Sequence, residues 1–337
     1  MSVEAYIISS GTHLPERIVT NEDIAGTLGL EPDYIFKFSG IRRRRWASPN
    51  ETTSLLASAA LRLALDNSGL TPEDIDYLLF GTMTPDRFIP GSASAVQKQA
   101  GLREIPCLDI RATCCNALYG LQLASSLIKS GAAHNVAICL SDIQSAWLDL
   151  SPEAGKISML FGDGASALIV SAEHRKGSLQ ILDVLLATDG TYLDDLGIRC
   201  PGTEFGTGIG QHGSPDLGDF RARMAGQSVI LQASRRVVAA CQSVLERNGL
   251  TVKDVRWLVP HQANANLLSQ IARNLNISMD DGSVVSVLEE YGNTSSASMG
   301  IALDTLRRAD LINIGDNLLL PAFGAGFTWG AGLCRVS

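Results

Sequence analysis

The chain has 337 residues, the composition of an ordinary globular protein and a formal net charge of −8 at pH 7. It is too long for one small core, so two domains or two fused halves are expected. The acidic balance argues against nucleic acid as the main partner. No apolar run approaches the roughly 20 residues of a membrane-spanning helix. Residues 1–4 lack the basic start of a secretory signal, so we expect a cytoplasmic protein without a membrane partner.

The seven cysteines lie at positions 107, 114, 115, 139, 200, 241 and 334. Their number is odd, and most of them fall in apolar segments. Both features favour buried free thiols in a reducing compartment over a disulfide framework. The sequence has no Cys-x-x-Cys pair and no cysteine–histidine cluster, so no metal site is expected.

The first half of the chain alternates strand-type and helix-type segments. Its residue pattern predicts strands at residues 5–10, 75–81 and 136–140, a helix start at residues 21–23, and helices at residues 52–68 and 92–100. Arginines occupy positions 42–45, just before Trp46. This run is equally consistent with a phosphate-binding patch and with a solvated loop.

A repeat relates the two halves of the chain. Residues 70–79, LTPEDIDYLL, match residues 250–259, LTVKDVRWLV, at an offset of 180 positions. Each segment follows an amphipathic helix that ends in glycine. The match predicts a duplicated α/β fold, with chance similarity of a common unit as the alternative. We expect an N-terminal half at residues 1–173 and a C-terminal half at residues 174–337.

Cys114 lies where a short strand-type segment turns into a helical pattern in which Leu118, Leu121 and Ile128 recur. The amino end of a helix offers unpaired N–H groups and a partial positive charge, which favour a thiolate. Cys114 is therefore a candidate nucleophile. A buried core thiol is the alternative.

The second half repeats the alternation of elements. We predict helices at residues 221–247 and 267–275, and strands at residues 257–260, 284–287, 318–321 and through Cys334. A long glycine-rich stretch at residues 189–219 is interpreted as a functional or mobile loop.

Two further candidate residues follow predicted strands of the second half. His261 is the one histidine that directly follows a buried-type strand, and Asn293 follows the segment 284–287. Ligands and catalytic groups of open α/β sheets collect at the carboxyl ends of strands. Cys114, His261 and Asn293 thus form a candidate catalytic set. Taken singly, they also have structural interpretations, as a core thiol, a loop histidine and a turn asparagine.

At these residues the chain resembles the ketoacyl-ACP synthase III family of thiolase-fold condensing enzymes, over residues 5–336. The motifs that carry the resemblance are the Ala-x-Cys junction at 112–114, LFGDGA at 160–165, MAG at 224–226, PHQAN at 260–264, GNTSSAS at 292–298 and FGAGFTWG at 323–330. The resemblance implies a thiolase-like α/β fold, with duplicated halves in a five-layer αβαβα arrangement, and a homodimer.

The resemblance also implies a mechanism. Cys114 would attack an acyl thioester, while His261 and Asn293 would stabilise the enolate left when malonyl-ACP loses carbon dioxide. Backbone N–H groups of Cys114 and Ala325 would form the oxyanion hole. An acyl-enzyme divides one difficult condensation into two steps, and fixed donors in a dry pocket stabilise a developing charge. The implied substrates are acyl-CoA or acyl-ACP and malonyl-ACP, with acyl carrier protein as partner and no cofactor.

The implied binding residues depart from the family. The resemblance assigns the binding of CoA and pantetheine to five residues, Tyr34, Phe38, Gly226, Ala263 and Asn264. Where the family clamps adenine between a tryptophan and an arginine, this chain has Tyr34 and Phe38, so the stack is kept and the cation is lost. A basic position after the histidine motif holds Asn266, and a lysine pair further along is replaced by Arg273 and Asn274.

The acyl pocket falls to Ile89, Phe161 and Phe323. Ile89 matches the gate residue that family members insert into the partner subunit's acyl pocket. An aliphatic residue there either leaves room for a longer acyl chain or changes only local packing. Asn116 replaces a family glycine and is expected to crowd the start of its helix. Cys115 is expected to face away from the site.

Two functions follow from the sequence. One is the primary condensing enzyme that starts fatty acid chains from a short acyl-CoA and malonyl-ACP. The other is a specialised-metabolism relative, a polyketide-type ketosynthase or acyltransferase that joins carrier-bound or aryl chains or acylates an alcohol or amine. The lost adenine clamp favours the second, and the intact catalytic set favours carbon–carbon bond formation. A non-catalytic partner subunit is disfavoured because it has no need of all three groups.

Overall fold

The protein was analysed as a computed structural model that describes residues 3–200, 202 and 220–337. The larger part of the glycine-rich stretch predicted at residues 189–219 lies outside them. The described helices are α1 (Asn21–Leu28), α2 (Pro32–Ser39), α3 (Thr53–Ser68), α4 (Ala93–Ala100), α5 (Asn116–Lys129), α6 (Gly155–Ser158), α7 (Gly226–Arg247), α8 (Ala265–Asn274), α9 (Leu288–Tyr291) and α10 (Ser298–Arg308).

The described strands are β1 (Tyr6–His13), β2 (Ile18–Thr20), β3 (Arg43–Arg45), β4 (Tyr77–Gly81), β5 (Cys107–Ile110), β6 (Asn135–Asp142), β7 (Gly164–Ser171), β8 (Leu179–Thr188), β9 (Leu196–Gly197), β10 (Arg223–Met224), β11 (Val255–Leu258), β12 (Asn317–Gly324) and β13 (Thr328–Val336). The predicted elements therefore exist with small shifts of their bounds, apart from the strand at residues 284–287. The predicted helix at 221–247 begins only at Gly226, because Arg223 and Met224 pair with β9.

Nine strands form one hydrogen-bonded sheet in the order β11-β12-β13-β8-β1-β7-β6-β4-β5. Two residue pairs between β1 and β8, Tyr6 with Gln180 and Ile7 with Leu179, join its two parts. In one part β4 is parallel to β5 and β6, and β7 is antiparallel to β6 and β1. In the other, β11 is parallel to β12, and β13 is antiparallel to β12 and β8. The same pattern of strand order and direction thus occurs twice.

The predicted strand at residues 284–287 is wrong, because only Val284 pairs, in a single parallel bridge with Leu258 of β11. The backbone beyond this bridge bonds to a side chain instead of to a neighbouring strand. The amide of Gln262 donates to the carbonyl of Val285 at 3.1 Å and accepts the N–H of Val287 at 3.0 Å. The bridge between Val284 and β11 occupies the same place at one edge of the sheet that β5, paired with β4, occupies at the other edge.

Helices separate and cover the two parts of the sheet. The central helix α5 contacts β4 and β6 of one part and β8 and β13 of the other, and α10 packs beside it against β1 and β7. One buried cluster joins both helices to both parts. Helices α3 and α4 cover one outer face, and α7 and α8 cover the other. The expected five-layer α/β arrangement is confirmed.

The sequence repeat is also a structural repeat. The N–H and hydroxyl of Thr71 donate to Asp74, and those of Thr251 donate to Asp254, at 2.7–2.8 Å. The strands β6 and β12 each begin with an asparagine whose amide donates to the carbonyl of that aspartate, at 2.9 and 2.8 Å. Duplication explains such matching detail more simply than chance. The boundary at residues 173 and 174, between β7 and β8, stays a prediction.

Candidate active site

Cys114 lies in a single 3-10 turn, Thr113–Cys115, between β5 and α5. Thr113 opens the turn with φ = 52°, a conformation that is uncommon outside glycine and often found at functional turns. Cys115 is fully buried, and its thiol lies 3.4 Å from the carbonyl oxygen of Thr328, whereas Cys114 is only partly buried. The predicted strand–helix junction is confirmed, and the more accessible of its two thiols is that of Cys114.

Burial raises the pKa of the Cys114 thiol to about 12, although hydrogen bonds from Ser295 and from its own backbone lower it. Burial therefore acts against the expected stabilisation of a thiolate by the helix end, which stays a prediction. The α-helix begins only at Asn116, two residues later. None of the seven cysteines, all of which lie within the described residues, forms a disulfide, as expected.

Strand β12 ends against the cysteine turn. A Cβ atom added at Gly324 would lie 2.9 Å from the backbone nitrogen of Cys114, closer than such atoms approach. The hydroxyl of Thr113 donates to the carbonyl of the next residue, Ala325, at 3.2 Å. The segments that carry the two predicted oxyanion donors, Cys114 and Ala325, thus lie side by side, while their shared role stays a prediction.

Asn293 lies in the turn between α9 and α10 and is fixed by its backbone. Its N–H donates to the carbonyl of Leu160 at 2.9 Å, and its own carbonyl accepts the N–H of Gly162 at 3.0 Å. Its Oδ1 accepts the N–H of Ser295 at 2.9 Å, so Nδ2 is the end of the amide left to donate. The hydroxyl of Ser295 lies 3.7 Å from the sulfur of Cys114. One short turn therefore joins Asn293 to the cysteine.

His261 follows β11, and its N–H donates to the carbonyl of Pro321 in β12 at 2.9 Å. Its Nδ1 lies 2.7 Å from the hydroxyl of Ser298, the first residue of α10. Burial lowers the pKa of the ring to about 4, so the imidazole is neutral at pH 7. His261, Asn293 and Cys114 are thus all held by the segment that runs from Asn293 to Ser298. The structure brings the predicted set together, and their chemical roles stay predictions.

A buried carboxylate that the sequence analysis missed lies behind this segment. Asp142 ends β6 and is fully buried. It accepts the N–H of Ser296 at 2.9 Å, the N–H of Met83 at 2.6 Å and the hydroxyl of Thr82 at 3.1 Å. Burial raises its pKa. An acidic residue that closes an otherwise apolar strand is the sequence signal that could have revealed it.

Asn116, which replaces a family glycine and is expected to crowd the start of α5, connects the two turns of the site. Its Oδ1 accepts the N–H of Ala112 at 2.6 Å, and its Nδ2 donates to the hydroxyl of Ser296 at 2.8 Å. The side chain is fully buried. It ties the cysteine turn to the Asn293 turn across the interface between the halves.

The residues assigned to CoA and pantetheine occupy the surface around α2, α7 and α8. Tyr34 and Phe38 stack on each other with ring centroids 5.8 Å apart, and both are partly exposed. Asn266 donates to the carbonyl of Phe38 at 2.9 Å. Asn264 caps α8 by accepting the N–H of Leu267 at 2.9 Å, which commits its Oδ1 and leaves its amide nitrogen. Two more assigned residues are Gly226, the first residue of α7, and Ala263, whose N–H donates to the carbonyl of His261 at 3.1 Å.

The predicted pocket residues lie in different surroundings. Phe161 forms a backbone bridge with Asn293, and Phe323 is buried with its ring 4.8 Å from that of Phe327. Ile89 is 77 % exposed on the loop between β4 and α4, and its role as a gate stays a prediction.

The arginines at positions 42–45 contact the protein itself. Arg42 pairs with Glu289 and Arg43 with Glu290, Arg44 is fully buried, and Arg45 donates to backbone carbonyls at 3.0 and 3.2 Å. These contacts favour a structural role over a phosphate-binding patch.

Within the described ranges, no three His, Cys, Asp or Glu side chains cluster as metal ligands would, and no helix is long and apolar enough to cross a bilayer. The expected absence of a metal or cofactor stays a prediction.

Comparisons with known proteins match this chain over nearly its full length. Two family models match it, 3-oxoacyl-(acyl-carrier-protein) synthase III at residues 108–190 and the C-terminal domain of the same synthase at residues 245–336. The β-ketoacyl-(acyl-carrier-protein) synthase III of Chlamydia caviae is 37 % identical, with 98 % of this chain and 97 % of the relative covered.

Solved structures also match this chain over nearly its full length. The 3-oxoacyl-(acyl-carrier-protein) synthase III of Aquifex aeolicus superposes with a TM-score of 0.87 at 32 % identity, covering 98 % of this chain and 99 % of that one. A priming β-ketosynthase from a polyketide biosynthetic pathway superposes with a TM-score of 0.89 at 30 % identity, covering 99 % and 97 %. The thiolase-like fold is confirmed.

Proposed function

The chain belongs to the 3-oxoacyl-(acyl-carrier-protein) synthase III family and is a condensing acyltransferase, and on this premise we propose how its residues carry the reaction. An acyl group passes from a thioester to Cys114 and is then joined to a malonyl unit held by an acyl carrier protein, with loss of carbon dioxide. The observation that carries the proposal is the segment from Asn293 to Ser298, which holds the asparagine, the histidine and the cysteine at one place.

In the acylation step, a bond forms between the sulfur of Cys114 and the acyl carbon, and the bond from that carbon to the donor thiol breaks. The proton of the Cys114 thiol leaves with the donor thiol, which keeps the charge balanced. The acyl oxygen becomes negative in the transition state, where backbone N–H groups of Cys114 and Ala325 stabilise it. The close approach of Gly324 to the nitrogen of Cys114 supports this assignment.

In the condensation step, the bond from the malonyl carbon to its carboxylate breaks and releases carbon dioxide. The electron pair moves onto the thioester oxygen as an enolate, which His261 Nε2 and Asn293 Nδ2 stabilise as donors. The enolate carbon then attacks the acyl carbon, and the sulfur of Cys114 leaves as a thiolate, which takes up one proton from water. A neutral His261 suits this role, because a buried imidazolium would be costly to form.

A homodimer is the proposed assembly. Strand β5 is an edge of the sheet, with Leu108 exposed, and unpaired edges of this kind favour pairing with another chain. The exposed side chains of Phe88 and Ile89 stand on a neighbouring loop, where a partner subunit would cover them. Carrier protein as partner and a cytoplasmic location belong to the same proposal.

A specialised-metabolism ketosynthase or acyltransferase is the second candidate. The exposed Tyr34–Phe38 stack offers rings for adenine, yet Asn266, which replaces a family basic residue, is bonded to the carbonyl of Phe38. This position therefore offers no positive charge to CoA phosphates, which favours a donor other than a short acyl-CoA. The similarity to a priming ketosynthase supports the same possibility.

Mass spectrometry of the intact protein tests the proposal. After incubation with acetyl-, hexanoyl- or octanoyl-CoA, the wild type and Cys115→Ala should gain one acyl mass, and Cys114→Ala should gain none. Malonyl-carrier protein added next should release carbon dioxide and free the thiol. Acyl mass on Cys114→Ala would refute the assignment of the nucleophile. Efficient loading from acetyl-CoA favours the primary enzyme, and loading without carbon dioxide release favours the alternative acyltransferase.

A further inference from the structure

The hydroxyl of Ser298 occupies a junction between the histidine and the backbone. Its oxygen lies 2.7 Å from Nδ1 of His261 and accepts the backbone N–H of Gln262 at 3.2 Å. Ser298 is fully buried, and His261 is 6 % exposed. Little solvent therefore reaches this contact.

Hydrogen-bond accounting fixes the direction of the contact. A hydroxyl has one proton to donate and two lone pairs. Among the described residues, Nδ1 of His261 and the N–H of Gln262 are the partners of the Ser298 hydroxyl. The N–H of Gln262 can only donate, so Nδ1 is the acceptor for the hydroxyl proton. A buried donor left without an acceptor would be destabilising.

An acceptor at Nδ1 determines the state of the whole ring. A neutral imidazole carries one proton, and which nitrogen holds it depends on the hydrogen bond that the other nitrogen makes. With Nδ1 accepting from Ser298, the proton lies on Nε2. Within the described part of the chain, Nε2 has no hydrogen-bond partner, so it remains available to a ligand.

We propose that Ser298 is a positioning residue that keeps His261 in the Nε2–H form, so that the ring donates a hydrogen bond to the malonyl thioester oxygen. The inference rests on the proposed function of His261. The opposite tautomer would present a lone pair to the developing enolate and would repel it. Ser298 begins α10, a central helix that is packed on all sides, and this placement fixes the hydroxyl before substrate binds.

Nitrogen NMR of protein labelled with ¹⁵N-histidine tests the tautomer directly, without substrate. At pH 7 the wild type should show a protonated Nε2 and an unprotonated Nδ1 for His261, with the signal assigned by its loss in His261→Gln. Ser298→Ala should give a mixture of tautomers. The control Ser58→Ala removes a buried serine hydroxyl that donates to the carbonyl of Ser54 at 2.7 Å within α3, and it should leave the signal unchanged. A protonated Nδ1 in the wild type would overturn the proposal.

Kinetics of the two steps supply the second readout. In Ser298→Ala, the rate of acylation of Cys114 should stay within about threefold of wild type, whereas release of carbon dioxide from malonyl-carrier protein should fall at least tenfold. Ser298→Thr, which keeps the hydroxyl, should retain most of the wild-type rate of carbon dioxide release. An equal fall in both rates, or no fall in either, would count against the inference. If even the wild type takes no acyl group, the proposed function fails, while the NMR result still decides the tautomer.

Discussion

The hydroxyl of Ser295 lies 3.7 Å from the sulfur of Cys114, and the N–H of the same serine donates to Oδ1 of Asn293 at 2.9 Å. One residue therefore contacts the proposed nucleophile with its side chain and orients a proposed enolate donor with its backbone. Ser295 adopts φ = 48°, in the left-handed region that few residues other than glycine adopt. The same turn therefore contacts groups that we propose for both steps of the reaction.

Removing the Ser295 hydroxyl should make Cys114 less reactive. The hydrogen bond from Ser295 lowers the pKa of the thiol against the effect of burial, so its loss raises that pKa and reduces the thiolate fraction. For Ser295→Ala we expect alkylation of Cys114 by iodoacetamide at pH 8 to slow by about 3–10-fold. Mass spectrometry of the Cys114 peptide measures the rate. Ser126→Ala, at an exposed serine of α5, is the control, and an equal rate in both variants would contradict the prediction.

Gly324→Ala should abolish acylation. The new methyl group would lie 2.9 Å from the nitrogen of Cys114, where backbone cannot move aside cheaply, so the turn or the strand end must shift. We expect the rate of acyl loading to fall at least 100-fold, the scale of losing an oxyanion donor. The matched control is Gly26→Ala, a helix position with no atom near the added methyl. If Gly324→Ala and Gly26→Ala are acylated at the same rate, the end of β12 has no part in the proposed oxyanion hole.

His261 should make stability depend on pH. Its pKa is about 4 in the folded protein and about 6.5 when unfolded, so the unfolded state binds more protons between these values. The free energy of unfolding therefore falls as pH falls, by about 2 kcal/mol from pH 7 to pH 4.5 for this residue. Urea unfolding of wild type and His261→Asn at both pH values isolates this contribution.

The comparison of wild type with His261→Asn is needed because two buried carboxyl groups also make stability depend on pH. Burial raises the pKa of Asp142, and it raises that of Asp163 to about 6. Both therefore favour the folded state at low pH, opposite to His261. The difference between wild type and variant removes their effect. A difference that is the same at pH 7 and pH 4.5 would show that His261 titrates normally in the folded protein.

Arg44→Ala should destabilise the protein far more than Arg43→Ala. Arg44 is fully buried and donates to Oδ1 of Asn21 and the carbonyl of Met159, both at 2.8 Å. Two buried acceptors left unpaired cost about 3 kcal/mol together. The exposed ion pair of Arg43 with Glu290 contributes about 0.5 kcal/mol or less. Thermal or urea unfolding compares the variants, and equal losses would contradict the structural role of Arg44.

Local sequence motifs singled out the three residues that we propose as catalytic. Cys114, His261 and Asn293 each stand in a recognisable motif, and the repeat indicated the duplication. Contacts between distant segments were not predictable in the same way. The predicted strand at residues 284–287 failed because the side chain of Gln262 takes its hydrogen bonds.

The properties of the site also depend on long-range packing. The raised pKa of Cys114 follows from burial that distant segments create together. Asp142 meets Ser296 across 154 positions of sequence, and Ser298 meets His261 across 37. A local pattern can single out a residue such as Asp142 but not its distant partner, which explains why the sequence indicated the proposed reacting groups better than the contacts that orient them.

The equivalent strands β6 and β12 end in residues of different chemistry. Both strands have eight residues and hold equivalent places in the sheet. One ends in Asp142, whose carboxylate binds the N–H of Ser296; the other ends in Gly324, which has no side chain to cover the N–H of Cys114. In one half a carboxyl group of the protein itself binds the turn, and in the other the equivalent turn carries the proposed oxyanion donor. On this proposal, the presence or absence of one side chain at the end of a strand distinguishes a structural contact from a site that can bind the substrate's oxygen.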